Sequence, residues 1–220
     1  MDKVIGIKEA IKDIRDGDTL MIGGFMANGA PEKLIDALIE KGVKDIILIS
    51  TDTGLVTTGS GKLIARKLVK KLYASHIGTN KETGRQMNEG ETEVELVPQG
   101  TLVERIRAGG YGLGGILTKT GLGTLVEDGK QRITVDGEEY LLETPLKADF
   151  ALIHAAKADR NGNLVYKGST NNFNNVMTAA ADVTIVEADE VVENGEIDPN
   201  FVHTPGVFVN HVVDGGAING

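Results

Sequence analysis

Apolar residues follow two alternating spacings along the first half of the chain. Short continuous apolar runs within 19–22 and 46–49 are typical of strands that are buried on both faces. In the segments 7–15 and 31–41, apolar residues instead recur every three or four positions, which predicts amphipathic helices. Because strands and helices alternate, the pattern predicts an α/β fold with an open, mostly parallel sheet flanked by helices.

The remaining elements are predicted from the same two spacings. Further strands are predicted at 72–74, 94–97, 150–155 and 183–186, and further helices at 63–70, 102–108 and 176–181. Two short runs flank Asp136-Gly137, which predicts a β-hairpin insertion with a type I′ turn around 131–142. The tail from Glu187 mixes acidic and turn residues and carries no predicted helix or strand. Since no linker or repeat interrupts the chain, residues 1–220 are expected to form one domain.

Loops of small polar residues and glycine follow four of the predicted strands. They lie at 23–29, 51–54, 75–80 and 98–101. In open parallel sheets, ligands bind at the carboxyl ends of the strands, where such loops meet. We therefore expect these loops to gather at one ligand-binding edge.

The first of these loops has the strongest features for binding. It begins with Gly23-Gly24 directly after the strand, contains Gly29, and is followed by Pro31 at the predicted helix start. Glycine permits positive φ angles and close approach of a ligand, and a helix start leaves backbone N–H groups without intrahelical partners. An anion or a polarised carbonyl fits such a site, so a nucleotide, a phosphate or a carboxylate would each suit it.

The composition argues against several classes of function. The formal net charge is −9 and no basic cluster is longer than Lys70-Lys71, which argues against binding to nucleic acid or to anionic membranes. The absence of cysteine excludes disulfides, thiolate catalysis and cysteine-ligated metals. No apolar run of about 18 residues and no signal-like N-terminal segment is visible, so we expect no membrane segment and a cytoplasmic location.

Two further patterns do not meet the requirements of cofactor sites. Gly110-x-Gly112-x-x-Gly115 has the spacing of a dinucleotide fingerprint, but a predicted helix precedes it where a strand is required. A flexible glycine loop is favoured over a nicotinamide site. The histidines also lack the spacing of metal ligands, so no metal is expected. They are His76, His154, His203 and His211. For His76, a functional role and a structural role in its loop both stay open.

Gln99 is the polar side chain best placed for chemistry. It follows a predicted buried strand and Pro98, which restrains the backbone direction. A fixed amide can donate a hydrogen bond to the oxyanion that forms during acyl transfer. The alternative is an amide that caps a helix or braces the loop.

The segment Glu193-Asn194-Gly195 contains a candidate nucleophile. A poised glutamate can act as a nucleophile. Here Glu193 lies in an acidic run with Glu187, Asp189, Glu190, Glu196 and Asp198. Such a run is usually a solvated acidic face, and we favour that interpretation.

The stretch from Asp16 to Pro31 resembles the glycine motif of the family I coenzyme A transferases at every position. The motif reads Asp-Gly, two residues, three apolar residues, Gly-Gly-Phe, three residues, Gly, one residue and Pro. Segments 75–80, 97–102, 118–124 and 204–206 resemble the same family. Length and motifs resemble its alpha subunits, of the short-chain-acid and 3-oxoacid type that includes acetate and acetoacetate CoA-transferases.

The resemblance implies a fold shared with sugar-phosphate isomerases, coenzyme A bound as an acyl-CoA substrate, and no metal. It implies a beta subunit as partner, in a hetero-oligomer of α2β2 size or larger. Coenzyme A would move between an acyl-CoA and a small carboxylic acid by a ping-pong mechanism, with the nucleophilic glutamate in a Ser-Glu-Asn-Gly segment of the beta subunit. In this chain Val192 precedes the glutamate, so the nucleophile is not assigned to Glu193.

By the same resemblance, this chain contributes contacts to the thioester and the oxyanion. Gln99 would be the catalytic contact. The loop that would bind acyl-CoA consists of Gly23, Gly24, Phe25, Met26, Ala27, Asn28 and Gly29.

Two alternatives from other classes stay open. One is a non-catalytic metabolite-sensing domain of the same superfamily that binds a phosphorylated metabolite, and the other is a stand-alone sugar-phosphate isomerase. A regulator would be expected to carry a helix-turn-helix or a basic region, and an isomerase its own acid–base pair. Neither feature is visible in the sequence.

Overall fold

The structure is a computed structural model that describes residues 2–216, and it contains two β-sheets. The strands are β1 Thr19–Ile22, β2 Ile46–Ser50, β3 Val69–Ala74, β4 Glu93–Leu96, β5 Ile116–Thr118, β6 Arg132–Val135, β7 Glu138–Glu143, β8 Ala148–Asp159, β9 Leu164–Val165, β10 Ala181–Val192 and β11 His211–Asp214. The helices are α1 Ile7–Ala10, α2 Glu32–Lys41, α3 Gly61–Ala65, α4 Lys81–Asn88, α5 Gln99–Gly110 and α6 Asn174–Met177. Residue 1 and residues 217–220 of the predicted domain lie outside the described residues.

The large sheet has the strand order β11-β10-β8-β1-β2-β3-β4, and every neighbouring pair in this path is parallel. The short β9 pairs with β8 in the antiparallel direction. The predicted open, mostly parallel α/β sheet is therefore confirmed. Because β1 lies in the middle of this order, the loop that follows it lies at the centre of the sheet's carboxyl edge.

The sheet is covered on both faces, which explains the continuous apolar runs. In β1, Leu20 and Ile22 pack into one core and Met21 into the other, and all three are fully buried. Residues of α2 and α3 complete the first core, and residues of α5 and α6 complete the second. A strand buried on both sides needs apolar side chains at every position rather than at alternate ones.

The predicted hairpin is confirmed and belongs to the small antiparallel sheet, whose order is β5-β7-β6. Its turn residues Asp136 and Gly137 have φ angles of 51° and 79°, as a type I′ turn requires. The third strand, β5, arises from the glycine-rich stretch that has the dinucleotide spacing. Since no helix opens there, the structure agrees with the rejection of a dinucleotide fingerprint.

Several predicted elements have different bounds for identifiable reasons. The helix predicted at 7–15 ends at Ala10. Beyond it, Nζ of Lys41 donates hydrogen bonds to the carbonyl oxygens of Ile11, Lys12 and Ile14, in place of a continued helix. The helix predicted at 63–70 covers Gly61–Ala65 instead, and β3 already begins at Val69. The helix predicted at 176–181 is α6, which ends at Met177.

Two larger corrections concern segments near the site. Helix α4 was not predicted, because its buried residues, Thr83 and Gln86, are polar and leave no apolar spacing in the sequence. It begins at Asn80, whose side chain accepts hydrogen bonds from two backbone N–H groups. The tail that begins at Glu187 is regular through Val192, because it continues β10 alongside β8. Among the described residues, no helix has both the length and the apolarity needed to cross a bilayer.

Candidate active site

The loop after β1 forms a tight turn with unusual backbone angles. Phe25 and Asn28 exchange two backbone hydrogen bonds, of 3.1 and 2.9 Å, around the central residues Met26 and Ala27. These central residues have φ angles of 52° and 65° although neither is glycine. A non-glycine residue in this region costs about 1–3 kcal/mol and persists only when its surroundings enforce it. We call residues 25–28 the strained turn.

The loop after β2 holds one side of the strained turn. The backbone N–H of Met26 donates to Oδ2 of Asp52 at 2.8 Å. The other carboxylate oxygen of Asp52 accepts the N–H of Gly54 at 2.9 Å. Asp52 is 2% exposed, so this contact links two neighbouring strand ends from within the protein.

An asparagine-rich segment, which was not predicted as part of the site, holds the other side of the loop. Nδ2 of Asn172 donates to the carbonyl of Asn28 at 3.0 Å, and Nδ2 of Asn174 donates to the carbonyl of Gly29 at 2.9 Å. Oδ1 of Asn172 also accepts the N–H of Gly24 at 3.3 Å. The four asparagines within 171–175 were the available signal, since an asparagine side chain can both donate to and accept from a neighbouring backbone.

The four strand-end loops meet at one edge, as predicted. Nδ2 of Asn80 donates to the carbonyl of Thr53, and Oγ1 of Thr79 donates to the carbonyl of Gly54, each at 3.0 Å. These bonds join the loop after β3 to the loop after β2. His76 is exposed in this region and does not line the cleft described below, so a functional role for it finds no support here.

A cleft of about 530 Å³ brings the strained turn and Gln99 together. Its lining residues are Phe25, Met26, Asn28, Thr51, Gln99, Ser169, Asn172 and Phe173. Phe25 and Met26 are each 43% exposed at its rim. None of these lining residues is a carboxylate, a cysteine, a histidine or a lysine. The cleft therefore contains amide groups and the hydroxyl groups of Thr51 and Ser169, and none of its lining residues is a carboxylate or imidazole that could activate these hydroxyls as nucleophiles.

Gln99 is the first residue of α5 and its side chain is exposed. No hydrogen bond joins its amide to any other residue in the range 2–216, and the residue that caps the helix is Pro98. The alternative of a capping or loop-bracing amide is thus not supported. Its amide group is free to contact a bound molecule, and its catalytic role stays a prediction.

The structure divides the predicted loop residues into two groups. Phe25, Met26 and Asn28 line the cleft, whereas Gly23, Gly24, Ala27 and Gly29 do not, and Gly23 and Gly24 are buried. The N–H groups that donate to protein oxygens are those of Gly23, Gly24, Phe25, Met26 and Asn28. Among the residues that the structure describes, the loop N–H groups without an acceptor are therefore those of Ala27 and Gly29.

The predicted anion site at the start of α2 is occupied by the protein itself. Oε2 of Glu187 accepts the backbone N–H of Leu34 at 3.0 Å. Glu187 is only 6% exposed, and burial raises the pKa of its carboxyl group. The assignment of Glu187 to a solvated acidic face was therefore wrong. No sequence-local signal connects it to a helix 153 positions away.

Glu193 lies away from the cleft. Its side chain is 72% exposed and lies 3.6 Å from the guanidinium of Arg160. It follows the end of β10 in a turn. This environment is that of a solvated residue rather than that of a buried nucleophile.

The chain is similar in sequence to a known family and to individual proteins of known identity. The model of the family "Coenzyme A transferase" matches residues 4–215. The acetate CoA-transferase subunit alpha of Escherichia coli is 54% identical, over 96% of this chain and 96% of that protein. The alpha subunit of the acetoacetyl-CoA:acetate/butyrate CoA transferase of Clostridium acetobutylicum is 53% identical, over 96% of this chain and 97% of that protein.

Solved structures share the fold at lower identity. An acyl-CoA transferase from Escherichia coli, YdiF, in a thioester complex with CoA superposes with a TM-score of 0.84 at 23% identity. The match covers 96% of this chain and 47% of YdiF, so the chain spans about half the length of that protein. Glutaconate coenzyme A-transferase from Acidaminococcus fermentans has the same TM-score at 22% identity, over 96% of this chain and 75% of that one.

Proposed function

The chain belongs to the coenzyme A transferase family, and we propose that it is the alpha subunit of a heteromeric short-chain or 3-oxoacid CoA-transferase. The observation that carries the proposal is the composition of the cleft. Its lining includes the free amide of Gln99 and residues of the strained turn, and none of its lining residues is a carboxylate. This arrangement suits half of an active site, to which a second chain adds the nucleophile.

The substrates follow from the relatives and from the chemistry of the cleft. The alpha subunits at 54% and 53% identity act in enzymes named for acetate, acetoacetyl-CoA and butyrate. We propose acyl-CoA and small carboxylic acids as substrates, a beta subunit as partner, and an assembly of α2β2 size or larger. That no metal takes part, and that the enzyme lies in the cytoplasm, also stay predictions.

The proposed reaction is ping-pong. The carboxylate of a beta-subunit glutamate attacks the thioester carbonyl carbon, the C–S bond breaks, and CoA thiolate leaves an acyl-glutamyl anhydride. The thiolate then attacks the glutamyl carbonyl, which releases the first acid as its carboxylate and forms a glutamyl-CoA thioester. A second carboxylate reverses these two steps and leaves as the new acyl-CoA. Atoms and charge balance without an added proton or oxidant.

This chain's part in that reaction is to bind and to stabilise charge. Each attack produces a tetrahedral centre with an oxyanion, to which the amide of Gln99 would donate a hydrogen bond. Within residues 2–216, the backbone N–H groups of Ala27 and Gly29 have no acceptor, but neither residue lines the cleft, so the contacts that we propose for the loop come from Phe25, Met26 and Asn28. Binding energy from the rest of CoA, along the rim formed by Phe25 and Met26, would help to hold the thioester in place.

The function is tested by assembling the enzyme from its parts. This chain, a beta-type chain with Ser-Glu-Asn-Gly, and a mixture of both are each incubated with acetoacetyl-CoA and acetate, and acetyl-CoA is quantified by mass spectrometry. We expect product only from the mixture, and a hetero-oligomer of defined mass by native mass spectrometry. Transfer by this chain alone would refute the division of labour. Binding of CoA esters by an assembly that never transfers CoA would favour the metabolite-sensing alternative.

A further inference from the structure

We propose that Asp52 is a positioning residue that holds the strained turn in the shape that receives acyl-CoA. Nothing in the chemistry of the proposed reaction requires this carboxylate, and it does not line the cleft. The inference rests on the proposed function for its kinetic consequences, but its structural part can be measured separately.

The contacts of Asp52 account for both of its oxygens. One accepts the N–H of Met26 at the tip of the strained turn, and the other accepts the N–H of Gly54 in its own loop. Within residues 2–216, no lysine, arginine or histidine forms an ion pair with it. Asp52 is 2% exposed. Its carboxylate is thus compensated by backbone N–H groups, in hydrogen bonds of the charge-assisted kind.

The strained turn needs such an anchor because its own sequence disfavours its shape. Both central positions of a type I′ turn require positive φ, which favours glycine, yet they are Met26 and Ala27. The two bonds between Phe25 and Asn28 close the turn but do not tie its tip to the sheet. The bond from Met26 to Asp52 does so, since Asp52 lies two positions after Ser50, the last residue of β2.

The position of the turn decides the shape of the cleft. Phe25, Met26 and Gln99 all line it. If the tip of the turn leaves Asp52, the side chains of Phe25 and Met26 lose their fixed relation to Gln99. A cleft that is formed only part of the time binds substrate with an affinity reduced by the fraction that is formed.

The expected kinetic result is a change in KM rather than in kcat. Asp52→Asn keeps the size of the side chain but puts an NH₂ group opposite one of the two N–H donors. We expect KM for acyl-CoA to rise by about fivefold or more while kcat stays within about twofold, because saturating substrate restores the formed cleft. The measurement uses the complete assembly with its beta subunit.

A second substitution separates positioning from general stability. Glycine adopts positive φ without strain, so Ala27→Gly added to Asp52→Asn should return KM to within about twofold of the wild-type value. Conversely, Ala27→Val with Asp52 intact should raise KM, since a β-branched residue is an outlier at positive φ. This variant keeps the proposal testable if Asp52→Asn fails to assemble.

Asp159 supplies a matched control. It is also a buried aspartate, 3% exposed, and it accepts the backbone N–H groups of Asn161 and Asn163 in a turn away from the cleft. Asp159→Asn should lower stability without the rise in KM. An unchanged KM in Asp52→Asn, a rise that Ala27→Gly does not reverse, or an equal rise in Asp159→Asn would overturn the proposal.

Hydrogen exchange reports on the turn without any assay of activity. In the wild-type assembly the amide of Met26 should be protected, and Asp52→Asn should speed its exchange by about tenfold or more, while peptides from the small sheet keep their rates. If the assembly transfers no CoA, the proposed function fails, and this measurement still decides the role of Asp52. Equal exchange at Met26 in both proteins would overturn that role.

Discussion

A Cβ atom placed on Gly23 would lie 1.8 Å from Oδ1 of Asn174, because the asparagine side chain fills the space directly above this glycine. The same oxygen accepts the backbone N–H of His154, and Nδ2 of Asn174 donates to the carbonyl of Gly29. Gly23 therefore matters less for ligand contact than for the close approach of β1 to the asparagine-rich segment that holds the loop.

Gly23→Ala should destabilise the protein and disturb the loop. The added methyl group forces Asn174 out of its position, and overpacking of this kind costs about 1–3 kcal/mol. Urea denaturation measures the change in the free energy of unfolding. Gly84→Ala is the control: this glycine lies in α4 with open space around its Cβ position, so alanine there should stabilise by about 0.4–1 kcal/mol. Equal effects of the two substitutions would contradict the packing described here.

Gln99→Ala should lower turnover without unfolding the protein. The side chain is exposed and makes no hydrogen bond to another described residue, so its removal should leave stability unchanged. Loss of one oxyanion donor typically costs about 10²–10³ in kcat, and we expect a decrease of at least about tenfold. Gln131→Ala, at an exposed position beside the small sheet, is the matched control. Near-normal turnover of the Gln99 variant would remove this residue from the oxyanion role.

Glu193→Gln should leave activity within about twofold of wild type, since the side chain is largely exposed and lies outside the cleft. The substitution keeps the shape of the residue and removes its charge. Steady-state kinetics of the assembled enzyme checks the expectation. An inactive variant that still assembles would mean that this chain carries a nucleophile of its own.

The buried carboxyl of Glu187 should make stability depend on pH. Burial raises its pKa above the ordinary value of 4.5, so the folded protein binds this proton more tightly than the unfolded chain. The stabilising effect is complete below pH 4.5 and is lost as the pH rises through the folded-state pKa.

Glu187→Gln isolates this effect, because glutamine cannot titrate and its Oε1 can still accept the N–H of Leu34. Thermal unfolding of both proteins is measured from about pH 4 to pH 8. We expect the variant to gain stability relative to wild type as the pH rises. A difference that stays constant over this range would show that Glu187 does not titrate differently in the folded and unfolded states.

The sequence was most informative where local chemistry decides the structure. Strand β1 has the predicted bounds, since its residues Leu20, Met21 and Ile22 form a continuous apolar run that is buried on both faces. The type I′ turn at Asp136-Gly137 and the C-cap at Gly42, whose φ is 77°, follow from residue types that favour positive φ. The edge where the strand-end loops meet could also be predicted, because the alternation of strands and helices places the carboxyl ends of parallel strands together.

Contacts between distant segments could not be predicted. The carboxylate of Glu187 at the start of α2, and the asparagines above Gly23, join parts of the chain that lie more than a hundred positions apart. The positive φ angles of Met26 and Ala27 oppose their local preference and depend on Asp52. These are places where tertiary contacts override the preferences of individual residues, and they cluster around the cleft.

Trapping of the covalent intermediate tests the division of the active site between two chains most directly. The assembled enzyme is incubated with acetoacetyl-CoA and then treated with borohydride, which reduces a glutamyl-CoA thioester to an alcohol and releases CoA. Peptide mass spectrometry then locates the reduced glutamate. The proposed function predicts that it lies in the Ser-Glu-Asn-Gly segment of the beta subunit, with every glutamate of this chain intact. A reduced glutamate in this chain would contradict it.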